Sequence, residues 1–136
     1  MAITKAENQV TWAAANSVSV TAGGNQTSDV VTLDVTCFNA AVTLKADNST
    51  TPVASDKIYV WALQTSGDPD GASADEYSTI KHGKLLAILD TFLEDPAIET
   101  VPLPVANKSL KLYAEGATSG TTNSITVSAT ITEQRG

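Results

Sequence analysis

Four carboxylates crowd one short stretch, Asp68-Pro-Asp70-Gly-Ala-Ser-Ala-Asp75-Glu76. Closely spaced carboxylates around a glycine turn supply the hard oxygen ligands that calcium selects. The spacing departs from the calcium-binding helix-loop-helix pattern, because Pro69 intervenes, glycine is missing from the sixth position and glutamate from the twelfth. The expectation is therefore a plain Asp/Gly turn with no metal. Asp68, Asp70, Asp75, Glu76, Glu94 and Asp95 are also the carboxylates from which a glycosidase pair would have to come. Only seven aromatic residues are available to line a sugar cleft. Nucleophilic catalysis needs a base beside a serine or cysteine, and the one histidine, His82, precedes Gly83 in a bend. Pairing of His82 with Cys37 or a serine is set against a turn histidine and a small buried thiol, and the latter is expected. Phosphate-cradling glycine loops, zinc motifs and nucleotide fingerprints are absent from the sequence. No enzyme, no cofactor, and no catalytic, cofactor or metal residue is predicted.

The elements that hold these residues are strands. Residues 56–65, Asp-Lys-Ile-Tyr-Val-Trp-Ala-Leu-Gln-Thr, are apolar on both faces: Ile58, Val60 and Ala62 point one way, Tyr59, Trp61 and Leu63 the other. Such a strand sits centrally in a sheet with both faces covered, and in a small all-β chain the outer cover comes from a loop, an arm or another subunit. From Asp29, one face carries Val31, Leu33, Val35 and Cys37; the parity then flips to Phe38, Ala40, Val42, Leu44 and Ala46. The flip predicts a bulge or bend within residues 38–41. Val10 with Trp12, and Val18 with Val20, read as two short strands, and Tyr77, Thr79 and Ile80 restart an extended pattern before His82-Gly83. Residues 84–94 suit a helical stripe or a buried strand; strand is preferred, since a lone helix would need its own apolar seat. Pro102 and Pro104 confine the strand before them to an edge. Leu110, Leu112 and Ala114, then Ile125, Val127, Ala129 and Ile131, mark the last two strands, with a turn over residues 116–123.

The reading is an all-β, two-sheet antiparallel sandwich, jelly-roll-like, with eight or nine strands and little helix. Residues 1–8 form an N-terminal arm and residues 9–136 a single domain. A chain of 136 residues can bury about 68% of its unfolded surface, and the formal charge of −7 disfavours nucleic acid and anionic membranes. The lone Cys37 permits no intramolecular disulfide, no apolar run reaches ~18 residues, and the first residues lack a signal-peptide core. Synthesis in the cytoplasm, without membrane insertion, is expected.

Four segments carry a resemblance: Phe38-Asn-Ala-Ala-Val-Thr-Leu-Lys-Ala-Asp-Asn48, Leu63-Gln-Thr-Ser-Gly-Asp-Pro-Asp-Gly71 with Ala74-Asp-Glu-Tyr77, Leu89-Asp-Thr91 followed by Glu94-Asp-Pro-Ala-Ile98, and Ser124-Ile-Thr-Val-Ser-Ala-Thr-Ile-Thr-Glu-Gln134. Together, over about residues 25–134, they resemble small β-sandwich proteins encoded among the structural genes of tailed bacteriophages. The resemblance implies a virion component made in the bacterial host cytoplasm, best fitted to a capsid decoration (cement) protein docked on the major capsid protein. It further implies a homo-oligomer, with a trimer favoured. The alternative is a tail or head-fibre adsorption module binding host glycan.

Overall fold

The computed structural model describes residues 2–65, 67–71, 74–106, 108–117 and 123–136. Its elements are β1 (Thr4–Gln9), β2 (Val18–Val20), β3 (Asn25–Thr27), β4 (Val31–Thr32), β5 (Cys37–Asn48), β6 (Lys57–Thr65), a 3-10 turn (Ile80–His82), β7 (Lys84–Asp90), β8 (Ala97–Leu103), β9 (Ser109–Gly116) and β10 (Ile125–Arg135). They form two antiparallel sheets packed as a sandwich, one ordered β1-β10-β5-β8 and the other β3-β9-β6-β7. β2 joins the same sheet through β10, and β4 joins the second through β9. Among the described residues ten strands stand where eight or nine are read from the sequence. The chain changes sheet at β2–β3, β4–β5, β5–β6, β7–β8, β8–β9 and β9–β10. The last two strands thus face each other across the core, and residues 118–122 of the turn read between them lie outside the described residues.

Alternation decides which side chains are inside. Val42, Leu44 and Ala46 of β5 and Val127, Ala129 and Ile131 of β10 meet Ile58, Val60 and Ala62 of β6 and Leu110, Leu112 and Ala114 of β9 in one core, all almost wholly buried. Each buried Leu, Ile or Val contributes about 1.5–3 kcal/mol of transfer free energy. The parity flip has the expected cause. Gln134 pairs with Asn39 but Arg135 with Cys37, so Phe38 is the extra residue of a bulge. Cys37 and Ala40 both point inward as a result, and Phe38, counted with the core face in the sequence, is half exposed instead. β8 is an edge strand, as its prolines require, and β7 is a strand.

Four readings are corrected. Val10 and Trp12 form no strand: Val10 follows the end of β1, and Trp12 makes only an isolated bridge with Ala15. The N-terminal arm is largely a strand: Thr4–Gln9 lies along β10, from Thr4 opposite Arg135 to Gln9 opposite Thr130. The alternation after Asp29 does not continue as a strand, because Asp34 Oδ1 accepts from the Thr36 N–H (2.9 Å) and hydroxyl (2.6 Å) and turns the chain. Val35, read as core, is left exposed at that turn. Tyr77 and Thr79 belong to no strand, and Ile80 opens the 3-10 turn.

Between β1 and β2 the chain doubles back in a tight turn. Trp12 and Ala15 exchange both backbone hydrogen bonds, at 2.7 and 2.9 Å, around Ala13 and Ala14 at φ 47° and 67°. Two successive left-handed residues match the turn that Asn-Gly prefers, and alanine there carries a steric penalty. Replacing them together, Ala13→Asn with Ala14→Gly, is expected to raise stability by ~1 kcal/mol in urea titration. Unchanged or lowered stability would show that the turn is not held in this conformation.

Candidate interaction surface

The outer face of the β3-β9-β6-β7 sheet is built by the half of β6 that the core does not use. Tyr59 and Trp61 stack with ring centroids 5.9 Å apart and planes inclined 29°. Trp61 then meets Tyr113 of β9 edge-on at 6.2 Å. On the other flank Leu85 stands opposite Trp61 and Ile88 opposite Tyr59. Both β7 side chains are open to solvent, at 46% and 47% exposure. Leu63, the third outward residue of β6, is covered by the approach of Gly83, where any Cβ would come within 2.9 Å of Leu63 Cδ2. At the same end, Tyr77 lies under Lys111, with the ammonium 4.6 Å from the ring centre, and its hydroxyl meets Ser109 Oγ at 2.8 Å. Burial, with Glu115 nearby, pushes the Tyr113 phenol above its ordinary value.

The outer face of the opposite sheet has a different chemistry. Thr126, Ser128, Thr130 and Thr132 alternate outward along β10, beside Thr43 of β5 and Thr100 of β8, whose hydroxyls meet at 2.9 Å. That face is hydroxylated, and the β6 face is aromatic and aliphatic. A monomer whose two sheet surfaces both face water has no need of such asymmetry, and apolar surface rimmed by polar groups marks contact sites.

Apolar exposure continues past β7. Ile88, Leu93 (81% exposed) and Ile98 (61% exposed) line a shallow groove where β7 and β8 adjoin, with Asp90, Glu94 and Glu99 in its wall. A separate apolar spot gathers at the ends of the chain. Ile3 precedes Thr4, which pairs with Arg135; Phe38 follows Cys37, also paired with Arg135; and the Gly136 N–H donates to the Thr36 carbonyl beside Val35. Ile3, Val35 and Phe38 are all exposed.

The residues read as candidates for chemistry are placed as follows. One carboxylate oxygen each from Asp68, Asp70 and Glu76 lie within 4.8 Å of one another, and Asp75 stands outside that group. Glu94 and Asp95 sit in the β7–β8 turn, apart from this loop, and Asp95 Oδ1 accepts the Asn48 N–H at 3.0 Å. His82 is exposed in the 3-10 turn. Cys37 is buried against Asn39, Glu133 and Lys108, and burial followed by the charge of Glu133 raises its thiol pKa, the reverse of an activated nucleophile. His82 is not among the groups that act on that thiol.

Two buried carboxylates that the sequence reading did not single out are structural centres. Glu133 is fully buried and accepts from Asn8 Nδ2 of β1, from the Asp34 N–H (2.8 Å) and from Arg135 (2.6 Å). Burial works to raise its pKa, but the Arg135 and Asp34 donors outweigh it and hold the carboxyl below its ordinary value. The parity of β10 carries the signal: Glu133 follows Ile131 on the inward side, with Arg135 next on that side to pair it. Asp56, 1% exposed, takes donors at Oδ2 from Val53 N–H (3.0 Å), Asn48 Nδ2 (2.9 Å) and Asn123 Nδ2 (2.7 Å). Its carbonyl accepts the Thr91 hydroxyl and N–H at 2.9 and 3.1 Å. This knot ties the loops at that end of the sandwich together.

Compared with known protein families and with curated proteins, the chain matches none.

Proposed function

We propose that this chain is a structural part of a tailed-bacteriophage virion, a decoration protein that docks on the major capsid lattice and stabilises the head by adhesion, without turnover. The observation that carries the reading is the unequal chemistry of the two outer faces: one carries Thr126, Ser128, Thr130 and Thr132 with Thr43 and Thr100, beside Lys45 and Ile98, and the other carries the joined rings of Tyr59, Trp61 and Tyr113 with Leu85 and Ile88. Apolar surface left uncovered on a folded domain is stabilising once a neighbour removes it from water. The resemblance in residues 25–134 supplies the setting.

The aromatic row also favours a second reading, a fibre module that stacks host glycan on Trp61. The aliphatic flank of Leu85 and Ile88 speaks for protein over sugar, since sugars need hydrogen-bonding partners beside the ring. Labelling the chain in purified particles separates the two. Many copies spread over the head are expected; a few copies confined to a fibre would favour glycan binding, and absence from the particle would overturn both.

A further inference from the structure

One long strand of the sandwich puts nothing into its core. Every other strand of six or more residues buries at least two side chains, but none of the six in β1 is buried. β1 pairs with β10 alone, along the edge that β10 does not share with β5. The core begins one residue later: Val10 and Trp12 are each 2% exposed, and the Val10 N–H donates to the Ala129 carbonyl at 3.0 Å. Gln9 Nε2 donates to the same carbonyl at 2.9 Å. Lys5, Glu7 and Gln9 stand opposite Gln134, Thr132 and Thr130, on the solvent side of the strand. The inward parity belongs to Thr4, Ala6 and Asn8, and of these Asn8 donates from Nδ2 to the buried Glu133.

Release of β1 would leave the bonds of the remaining strands in place. β10 keeps its ladder with β5 from Ile125 to Arg135, and Glu133 keeps its Arg135 and Asp34 donors. The conformational freedom that six residues regain offsets much of the lost ladder, so the charge-assisted bond from Asn8 becomes the contact that most favours closure. We infer that β1 is a strap that opens separately from the sandwich, hinged between Gln9 and Val10 and latched by Asn8 on Glu133. Opening bares the β10 backbone from Thr130 to Arg135 and admits water to Glu133, which is 0% exposed when the strap is closed. Sheets ordinarily keep such an edge covered, because an unpaired backbone is a template for another strand. The buried glutamate thus has a duty beside its pairing with Arg135: it sets how often that edge is uncovered. The strap lies on the sheet opposite the β6 face, and it works whether or not that face is adhesive.

Amide hydrogen exchange of the purified full chain, read residue by residue by NMR, tests this. In wild type the β1 amides that bond to β10 are expected to exchange at least ~100-fold faster than those that link β5 to β10, because they open without the sandwich. Asn8→Ala should speed the β1 amides by a further ~10-fold and leave the β5–β10 amides unchanged. Asn8→Asp, which sets a second carboxylate against Glu133, should speed them more. Glu7→Ala, on the solvent side of the same strand, should leave both sets at the wild-type rates. β1 amides that exchange no faster than those between β5 and β10, or an Asn8→Ala effect that is equal in both sets, would show that β1 opens only with the whole domain, and the strap would be refuted. An Asn8→Ala variant whose β1 amides keep the wild-type rate, or a Glu7→Ala variant that speeds them as much, would refute the latch.

Discussion

Replacing Asp56 by alanine is expected to cost ~3–5 kcal/mol, a large part of the stability of a domain this size. The substitution deletes the acceptor shared by Asn48 Nδ2, Asn123 Nδ2 and the Val53 N–H, in a site shielded from water. A buried donor deprived of its acceptor costs ~1–3 kcal/mol, and water can reach the half-exposed Asn123 more readily than Asn48. The loss should propagate, because Asn48 ends β5, Thr91 follows β7 and Asn123 precedes β10. Urea denaturation measures it. A variant that unfolds within ~0.5 kcal/mol of wild type would show that these loops are held by something else.

Glu133→Gln should cost ~2–4 kcal/mol near neutrality, and it should also change the acid limb of the stability curve. The amide keeps the volume of the side chain but loses its charge against Arg135 and sets an NH2 group among donors from Asn8 and Asp34. In the native chain the Glu133 pKa lies below the ordinary 4.5. Its contribution is therefore complete above that value and is lost as pH falls through the lower folded one. Wild type should lose stability on acidification through this window, and the variant should lack that component. Equal stability at neutral pH with an unaltered acid limb would contradict the assignment.

Much of the sandwich was legible where one local rule dominated. The two-faced apolar run over residues 56–65 could only be central. The parity change beside Cys37 could only be absorbed by an extra residue, and the pair Pro102 and Pro104 could only lie at an edge. Where tertiary contacts override local pattern, the sequence misleads. Thr-Lys-Ala-Glu-Asn-Gln has no apolar face, and it becomes β1 because the free edge of β10 accepts its backbone. Val35 keeps perfect alternation with Leu33 and Cys37, yet Asp34 captures the Thr36 backbone and ends the strand. Of the surface, Trp61 and Tyr59 were visible as needing cover. Their junction with Tyr113 was not, since it depends on the register of β6 against β9, which no local signal sets.

Hydroxyl-radical footprinting of the chain, dilute and then within purified particles, bears most directly on whether neighbours cover the aromatic face. Trp61, Leu85 and Ile88 should label readily in the dilute chain and become protected on the particle, and Trp12, buried in the core, should label little in either state. Equal labelling of Trp61, Leu85 and Ile88 in both states would mean that no neighbour sits there, and adhesion through that face would be refuted.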